Sequence, residues 1–337
     1  TLGDWLRHIV ANAHDLAPGT IVTRRKHLDY WIDPQPIPGR WSIGAIRLRA
    51  LTATDGGAFI GWLQDGCGCA RPNICRHAGG YRPPHKARTV REAVILVRSG
   101  LALAVSRGML TSNPWEHVKL PRANRRPPAV PGADDLARLR DWPDARVRLL
   151  LVLAADTGAR RSELLALRWE QVDLKAGTLT IGASLDHPPG SPFPVLKEPK
   201  TESGRRTIAL PDVALAELRA ARLAAPATRR IAAWPVFANA DGSWWNPMAA
   251  TQAARRALRD LGLPGSLHTL RHAHATQLLG SEGRVSAHVV ARRLGHADVQ
   301  TTLALYAHVI PADDASAADA INRMRARQRG ATGAGEA

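Results

Sequence analysis

The chain has 337 residues, enough for two domains of ordinary size, and its 46 Lys and Arg against 29 Asp and Glu leave a net charge of +17. That surplus exceeds what solubility requires and points to a polyanion such as nucleic acid; a GC-rich coding bias would explain the preference for Arg but not the excess over acids. Three cysteines exclude a disulfide framework and suit a reducing cytoplasm, and the longest apolar run, Leu149 to Ala155, excludes a spanning helix, which takes about 20 residues.

The opening TLGDWLRHIV carries an acid and no continuous apolar core, so it is unlike a signal peptide. It also begins without Met, which is compatible with a preceding segment. Leu2, Trp5, Leu6 and Ile9 follow helical spacing. Pro18-Gly19 is expected to break that helix and Thr20 to cap a second, which carries Val22, Leu28, Tyr30 and Trp31 and the basic run Arg24, Arg25, Lys26. A Pro-rich loop at 33–40 leads to a third helix over Asp55–Gln64, with Phe59, Ile60, Trp62 and Leu63 inward. Ala87–Arg107 has the longest clean helical pattern of this half, ended by Gly108 and Asn113-Pro114.

Between the third and fourth helices lies a Gly- and Pro-rich insertion, residues 65–86, holding Cys67, Cys69, Cys75 and His77. Three thiols and an imidazole can complete a tetrahedral structural zinc site, with His85 a lesser candidate ligand. The spacings are C-x-C and C-x-H rather than C-x-x-C, so a plain loop stands beside the zinc staple.

Residues 119–135 combine four prolines with four Lys or Arg, among them Arg125 and Arg126, and no hydrophobic period; they read as a basic linker with the domain boundary near Pro127. The second half restarts with a helix capped by Asp134 or Asp135, then an apolar helix over Ala145–Ala155 that stops at Thr157-Gly158. Ser162–Leu167 reads as a short helix burying Leu164, Leu165 and Leu167, which sets Arg160 at a junction of buried helices where its guanidinium can offer a fork to phosphate. Thr178–Ile181 alternates as a strand and 183–195, with four prolines, reads as a loop. Residues 199–210 read as a hairpin: Lys200 on the incoming strand, Glu202-Ser203-Gly204 turning, Arg206 to Leu210 returning. Helices follow over Ala214–Leu223 and Asn246–Leu261, and the block 266–308 closes the chain before a tail helix over 311–329 and a polar end.

That closing block holds His268, Arg271, His296 and Tyr306. His268 and Arg271, three apart on a helix, share a face and can bind one phosphate. A phenol has an ordinary pKa of about 10, so a tyrosine attacking a phosphodiester needs help losing its proton and a cationic cradle for the pentavalent phosphorus. Arg160, Lys200, His268, Arg271 and His296 can supply that cradle. A catalytic zinc on His268 and His272 lacks the Glu of H-E-x-x-H; His272 reads as a packing or DNA-backbone residue.

The ordered set T-G-A-R-R-S-E (157–163), P-K-T-E-S-G-R-R-T (199–207), H-T-L-R-H-A-H-A-T (268–276), L-G-H-A-D (294–298) and T-T-L-A-L-Y-A-H (301–308) closely resembles the catalytic blocks of the tyrosine recombinases, the phage integrase family. The match covers roughly residues 130–310, and residues 89–118 are similar to part of that family's helical core-binding domain. The resemblance implies a mainly α fold with a small antiparallel sheet. It divides the chain into a core-binding (SAM-like) domain over 1–120, a linker over 121–132, an α+β catalytic domain over 133–312 and a C-terminal helix and tail over 313–337. It implies that Arg160 and Arg271 clamp the scissile phosphate, Lys200 protonates the leaving 5′-oxygen, and His268 and His296 hold phosphate and move protons. Glu163 becomes an accessory acid orienting its neighbours, and Tyr306 the nucleophile that forms a 3′-phosphotyrosyl link.

The resemblance further implies no cofactor for catalysis, and a homotetramer that clamps two DNA duplexes at attachment sites in the cytoplasm, with an accessory directionality factor. Arg24, Arg25, Lys26, Arg125, Arg126, Arg205 and Arg206 are expected to contact DNA. The activity would integrate or excise a mobile element. Chromosome-dimer resolution and a type IB topoisomerase-like activity keep the same chemistry, whereas a silent DNA-binding prophage remnant would not keep the full catalytic set. SEGRVSAH (281–288) lengthens the turn before L-G-H relative to the family pattern, and the Cys-rich insertion has no counterpart in it. The tail helix, with Ala317, Ala320, Ile321 and Met324 on one face, docks either on a neighbouring subunit or on its own.

Overall fold

The computed structural model describes residues 1–14, 16–32, 42–66, 84–122, 129–188, 190–198, 204–225, 232–280, 285–307, 309 and 321–322. Outside them fall residues 67–83 of the insertion, with Cys67, Cys69, Cys75 and His77, the linker arginines Arg125 and Arg126, Lys200 with Glu202 and Ser203 of the turn after it, and most of the tail. The chain divides into two compact units, Thr1–Pro127 with Pro188–Gly190, and Pro128–His187 with Ser191–Ala337.

The N-terminal unit is helical. Helix α1 (Leu2–Ala11) starts at a reciprocal cap between Thr1 and Asp4 and buries Leu2, Trp5, Leu6 and Val10. Helix α2 (Pro18–His27) begins at the Pro-Gly pair that was expected to break the chain, so Thr20 lies inside it and is not the cap. Proline suits the first helical position because the N–H it lacks would have no partner there. Its last turn passes into a π-helical turn at Leu28–Ile32.

Helix α3 (Ala53–Asp65) starts before Asp55, because Thr52 caps it and the Asp55 carboxylate accepts the Thr52 N–H at 2.8 Å. Helix α4 (Ala87–Ser106) runs 20 residues. The core between these helices is apolar and aromatic: Phe59, Leu63, Val94, Val97, Leu101 and Trp115 are fully buried, whereas Trp62 is half-buried. Both buried indoles find acceptors, Trp5 Nε1 donating to the Gly100 carbonyl at 2.8 Å and Trp115 Nε1 to that of Thr52 at 3.1 Å.

The C-terminal unit opens with the short α5 (Ala133–Ala137). Its N-cap is Gly132 rather than Asp134 or Asp135; Asp135 instead accepts the Gly132 N–H at 3.1 Å from inside the first turn. Helix α6 (Ala145–Thr157), capped by Asp144, is the central strut: nine of its 13 residues are buried. A helix apolar all round must be enclosed on all sides, and α6 packs against α8 (Asp212–Ala224), α9 (Pro247–Asp260) and α10 (Leu267–Gly280). The short α7 (Arg161–Leu165) follows α6 directly, and α11 (Ala287–Leu294) and α12 (Val299–Tyr306) close the unit.

Two small antiparallel sheets complete it. Strands β1 (Val172–Asp173), β2 (Thr178–Ile181) and β5 (Arg206–Ala209) lie in the order β1-β2-β5, with Ile181 opposite Arg206. The returning strand of the expected hairpin thus pairs with Thr178–Ile181 among the described residues. The segment 183–195, expected as a loop, instead contributes β3 (Ser184–Asp186) and β4 (Val195–Lys197), paired with each other around its prolines. The fold class is the expected one, mainly α with small antiparallel sheets. No described helix is long and apolar enough to cross a membrane.

Candidate active site

The site forms where α6 hands over to α7. Gly158 ends α6 at φ 63°, and a Cβ there would stand 2.7 Å from both His274 of α10 and Leu294 of α11. Glycine is therefore required twice over, for its left-handed backbone and for the close approach of two helices. The turn delivers Arg160 to the N-cap of α7 and Glu163 to its first turn, where the Glu163 carboxylate accepts the Arg160 N–H at 2.8 Å.

Glu163 is the hub of one side. Its Oε1 takes Arg160 Nη1 at 2.8 Å, and its Oε2 takes Arg206 Nη2 at 2.7 Å. Burial alone would raise this carboxyl, but the Arg206 hydrogen bond and charge, with two hydrogen bonds from Arg160, hold it below its ordinary value. The two arginines differ in fate: the Arg160 side chain is 44% exposed and the Arg206 side chain 4%. Arg206 spends its remaining donors on the Arg293 and Gly204 carbonyls. A Cβ at Gly295, whose φ is 69°, would stand 2.6 Å from Arg206 Nη1, so that glycine makes room for the guanidinium. Arg206 is thus a buried partner of Glu163, which corrects its expected contact with DNA. The alternation of β5 carries the signal, since Arg206 lies on the same strand face as the buried Ile208.

The other side is built of histidines. Arg271, 4% exposed, donates Nη1 to the Gly158 carbonyl at 2.6 Å and Nη2 to His296 Nε2 at 2.9 Å. Burial and the nearby Arg160 lower the guanidinium to about 10, so it stays charged at neutral pH. Because arginine only donates, His296 Nε2 must be an acceptor, which leaves its Nδ1–H to donate to Thr302 Oγ1 at 2.8 Å. Burial, then Arg271 and Arg160, push His296 down to about 4, consistent with a neutral ring. His268 is lowered by burial and by the same two arginines.

Tyr306, at the end of α12, is 3% exposed, and its hydroxyl lies 2.7 Å from Nδ1 of His272. Burial raises the phenol, offset in part by the charge of Arg271. His268 packs edge-on against His272 with ring centres 4.5 Å apart.

The structure therefore gathers Arg160, Glu163, His268, Arg271, His296 and Tyr306 into one hydrogen-bonded and electrostatically coupled cluster, while Lys200 lies outside the described residues. Two clefts flank Arg160. One of about 500 Å³ is lined by Arg160, Glu163, Lys197, Glu198 and His296; another of about 320 Å³ by Arg160, Arg161, Arg255, His268 and Arg271. A third cleft of about 640 Å³ joins His296 to the exposed Arg205, His288 and Arg292. On α2, Arg25 and Lys26 are exposed and Arg24 is half-buried. His272 and Thr302 were not expected to serve the site. For His272 the helical i,i+4 spacing from His268 was the available sign. No group of three His, Cys, Asp or Glu placed to hold a metal occurs among the described residues.

Residues 133–312 match the model of the phage integrase family. The chain belongs to that family. Phage integrase family tyrosine recombinases are site-specific DNA breaking and rejoining enzymes, and the chain is one of them. It is similar to the tyrosine recombinase XerC of Xanthomonas axonopodis pv. citri, 29% identical over 240 residues, 69% of this chain and 71% of that one. An integrase/recombinase of Escherichia coli is 31% identical over 236 residues, 60% of this chain and 66% of that one. In fold, the chain is similar to the Tn1549 transposon integrase (residues 82–397) in complex with circular intermediate DNA, with a TM-score of 0.73 at 15% identity over 96% of this chain and 99% of that one.

Proposed function

We propose that this recombinase integrates or excises a mobile element, with Tyr306 as its nucleophile. The observation that carries the assignment is the coupling of Tyr306 to the arginine and histidine network: its phenol sits beside His272 and feels the charge of Arg271, which itself holds His296. In this reading Arg160 and Arg271 bind the non-bridging oxygens of the scissile phosphate, one from an exposed position and one from a buried one. Glu163 and Arg206 fix Arg160, and His268 and His296 complete the donor set around the developing charge.

Tyr306 Oη bonds to phosphorus, the bond to the 5′-oxygen breaks, and that oxygen takes a proton from Lys200. The 3′-phosphotyrosyl ester keeps the bond energy for rejoining, so the 5′-hydroxyl of a partner strand reverses the step. Exchanging two duplexes breaks four strands. With one tyrosine for each, the working assembly is a homotetramer on two DNA sites, acting in the cytoplasm at the nucleoid. Arg205 and Arg292 around the cleft of about 640 Å³, and Arg25 and Lys26 on α2, supply phosphate contacts.

The test starts from duplexes that the protein selects from a randomised pool, nicked within the selected sequence so that the cleaved end diffuses away. Wild type should accumulate a covalent protein–DNA adduct that Tyr306→Phe does not form. DNA binding with no adduct in wild type would end this reading. Similarity to XerC favours a second one, resolution of chromosome dimers. Selected sites recovered at the ends of an element, rather than at one chromosomal locus, favour the first.

A further inference from the structure

We infer that His272 is a catalytic residue of this enzyme, the base that takes the phenol proton of Tyr306 as its oxygen bonds to phosphorus. This rests on Tyr306 being the nucleophile. His272 Nδ1 lies 2.7 Å from the Tyr306 hydroxyl, the distance of a formed hydrogen bond, and no other side chain among the described residues is recorded in a hydrogen bond to that oxygen. His268 and His296, the histidines to which the family resemblance gives roles, are placed differently. His268 contacts the His272 ring edge-on, and His296 has both ring nitrogens engaged, by Arg271 and by Thr302. His296 therefore has no ring nitrogen left to take a proton from the phenol, and His272 does.

The protonation states agree with the geometry. The groups facing His272 are His268 and Arg271 on its own helix, Tyr306 on α12 and His296 after α11. Burial, then His268 and Arg271, lower His272, so at neutral pH its ring is uncharged; with the Tyr306 hydroxyl as donor, Nδ1 accepts and the ring proton sits on Nε2. The phenol is raised, so transfer completed before attack is uphill. The proton must move in step with formation of the oxygen–phosphorus bond. In cleavage the Oη–H bond breaks and Nδ1–H forms, Oη–P forms and P–O5′ breaks, and the 5′-oxygen takes its proton from the general acid. In rejoining, His272 returns the proton to the departing tyrosine.

The experiment compares wild type, His272→Asn and Lys200→Ala in single-turnover cleavage of the nicked duplex, with an ordinary phosphodiester or with sulfur at the bridging 5′ position. Asparagine keeps an acceptor near the phenol but takes no proton. A thiolate leaves without protonation. His272→Asn should therefore slow cleavage by about 10²-fold or more on both substrates, while sulfur restores Lys200→Ala. Wild type should lose rate as falling pH protonates His272, and His272→Asn should lack that limb and rise with pH as phenolate forms. A fluorinated tyrosine at 306, which ionises more readily, should recover part of the His272→Asn loss. Thermal unfolding and DNA binding of each variant identify a folding defect, and fluorotyrosine in the wild-type background then decides: a flattened low-pH limb supports the proposal and an unchanged one overturns it. A His272→Asn enzyme with wild-type rate and pH profile, or one cured by sulfur, overturns the role of His272 and leaves Tyr306 as nucleophile. An adduct that persists in Tyr306→Phe removes both.

Discussion

The two units bury different things. Among the described residues, the N-terminal unit buries one ionisable side chain, His27, in a core of aliphatic and aromatic groups around Phe59 and Trp115. The C-terminal unit buries Glu163, Arg206, Arg271 and His274 beside an equally apolar core on α6. Buried charge opposes folding unless it is paired, and here the pairs converge on the turn between α6 and α7. The N-terminal unit is built for stability, whereas the C-terminal unit accepts an internal electrostatic penalty to hold its donors in place before substrate arrives.

The largest expected effect lies in the buried charge. Arg271→Lys cannot reach both the Gly158 carbonyl and His296, so cleavage in the trapping assay should fall about 10³-fold. A fall under tenfold would mean that the fork is not what holds the phosphate. Trp115→Ala tests the opposite unit. It should destabilise the N-terminal unit by about 3–5 kcal/mol in denaturant unfolding of the full chain, yet leave the cleavage rate of the saturated DNA complex unchanged.

Glu163→Gln removes the negative charge and one of the two acceptor oxygens that serve Arg160 and Arg206, and should lower stability by roughly 2–3 kcal/mol at pH 7. The Glu163 pKa is depressed in the folded state. Its contribution is thus present above the ordinary carboxylate value and lost as pH falls through the folded one. The gap between wild type and Glu163→Gln should therefore close in acid, and a pH-independent gap would mean that shape, not charge, is lost.

The histidines give a second pH effect with the same sign. His274 and His296 are each held at about 4 against an ordinary 6.5, the first by burial and Arg293, the second by burial and Arg271. Below pH 6.5 the unfolded chain takes up protons that the folded unit refuses, so stability drains away down to about pH 4. Calorimetry of the full chain between pH 7 and 5 should show the C-terminal unit losing stability faster than the N-terminal unit. The smallest effect belongs to the exposed cations. Arg25→Ala and Lys26→Ala should each reduce the slope of log affinity against log salt by about 1 if they meet phosphates, without changing the cleavage rate once DNA is bound.

Much of this architecture was legible beforehand, and the exceptions have physical reasons. Helices α1, α4 and α9 are long enough for their apolar period to declare itself, and α6 shows as an unbroken apolar run. The start of α2 is not fixed by its sequence, because Pro-Gly signals either a break or a beginning, and which one holds depends on whether the next turn finds a core. Strands β3 and β4 are three residues each, too short for alternation to show among four prolines. Arg206, expected to contact DNA, lies two residues before Ile208 on a strand, and that spacing puts it inward.

The sequence by itself determined the family, the order of the catalytic blocks and the identity of the arginines, histidines and tyrosine in them, because those depend on residue type and local spacing. Tertiary structure alone decided who holds whom. The Glu163 carboxylate is shared between an arginine three residues away and another 43 away, and the phenol of Tyr306 meets a histidine 34 residues earlier. A hydrogen bond needs its partners within a few tenths of an ångström, and that distance is set by how α7 meets β5 and how α10 meets α12, which no local pattern encodes.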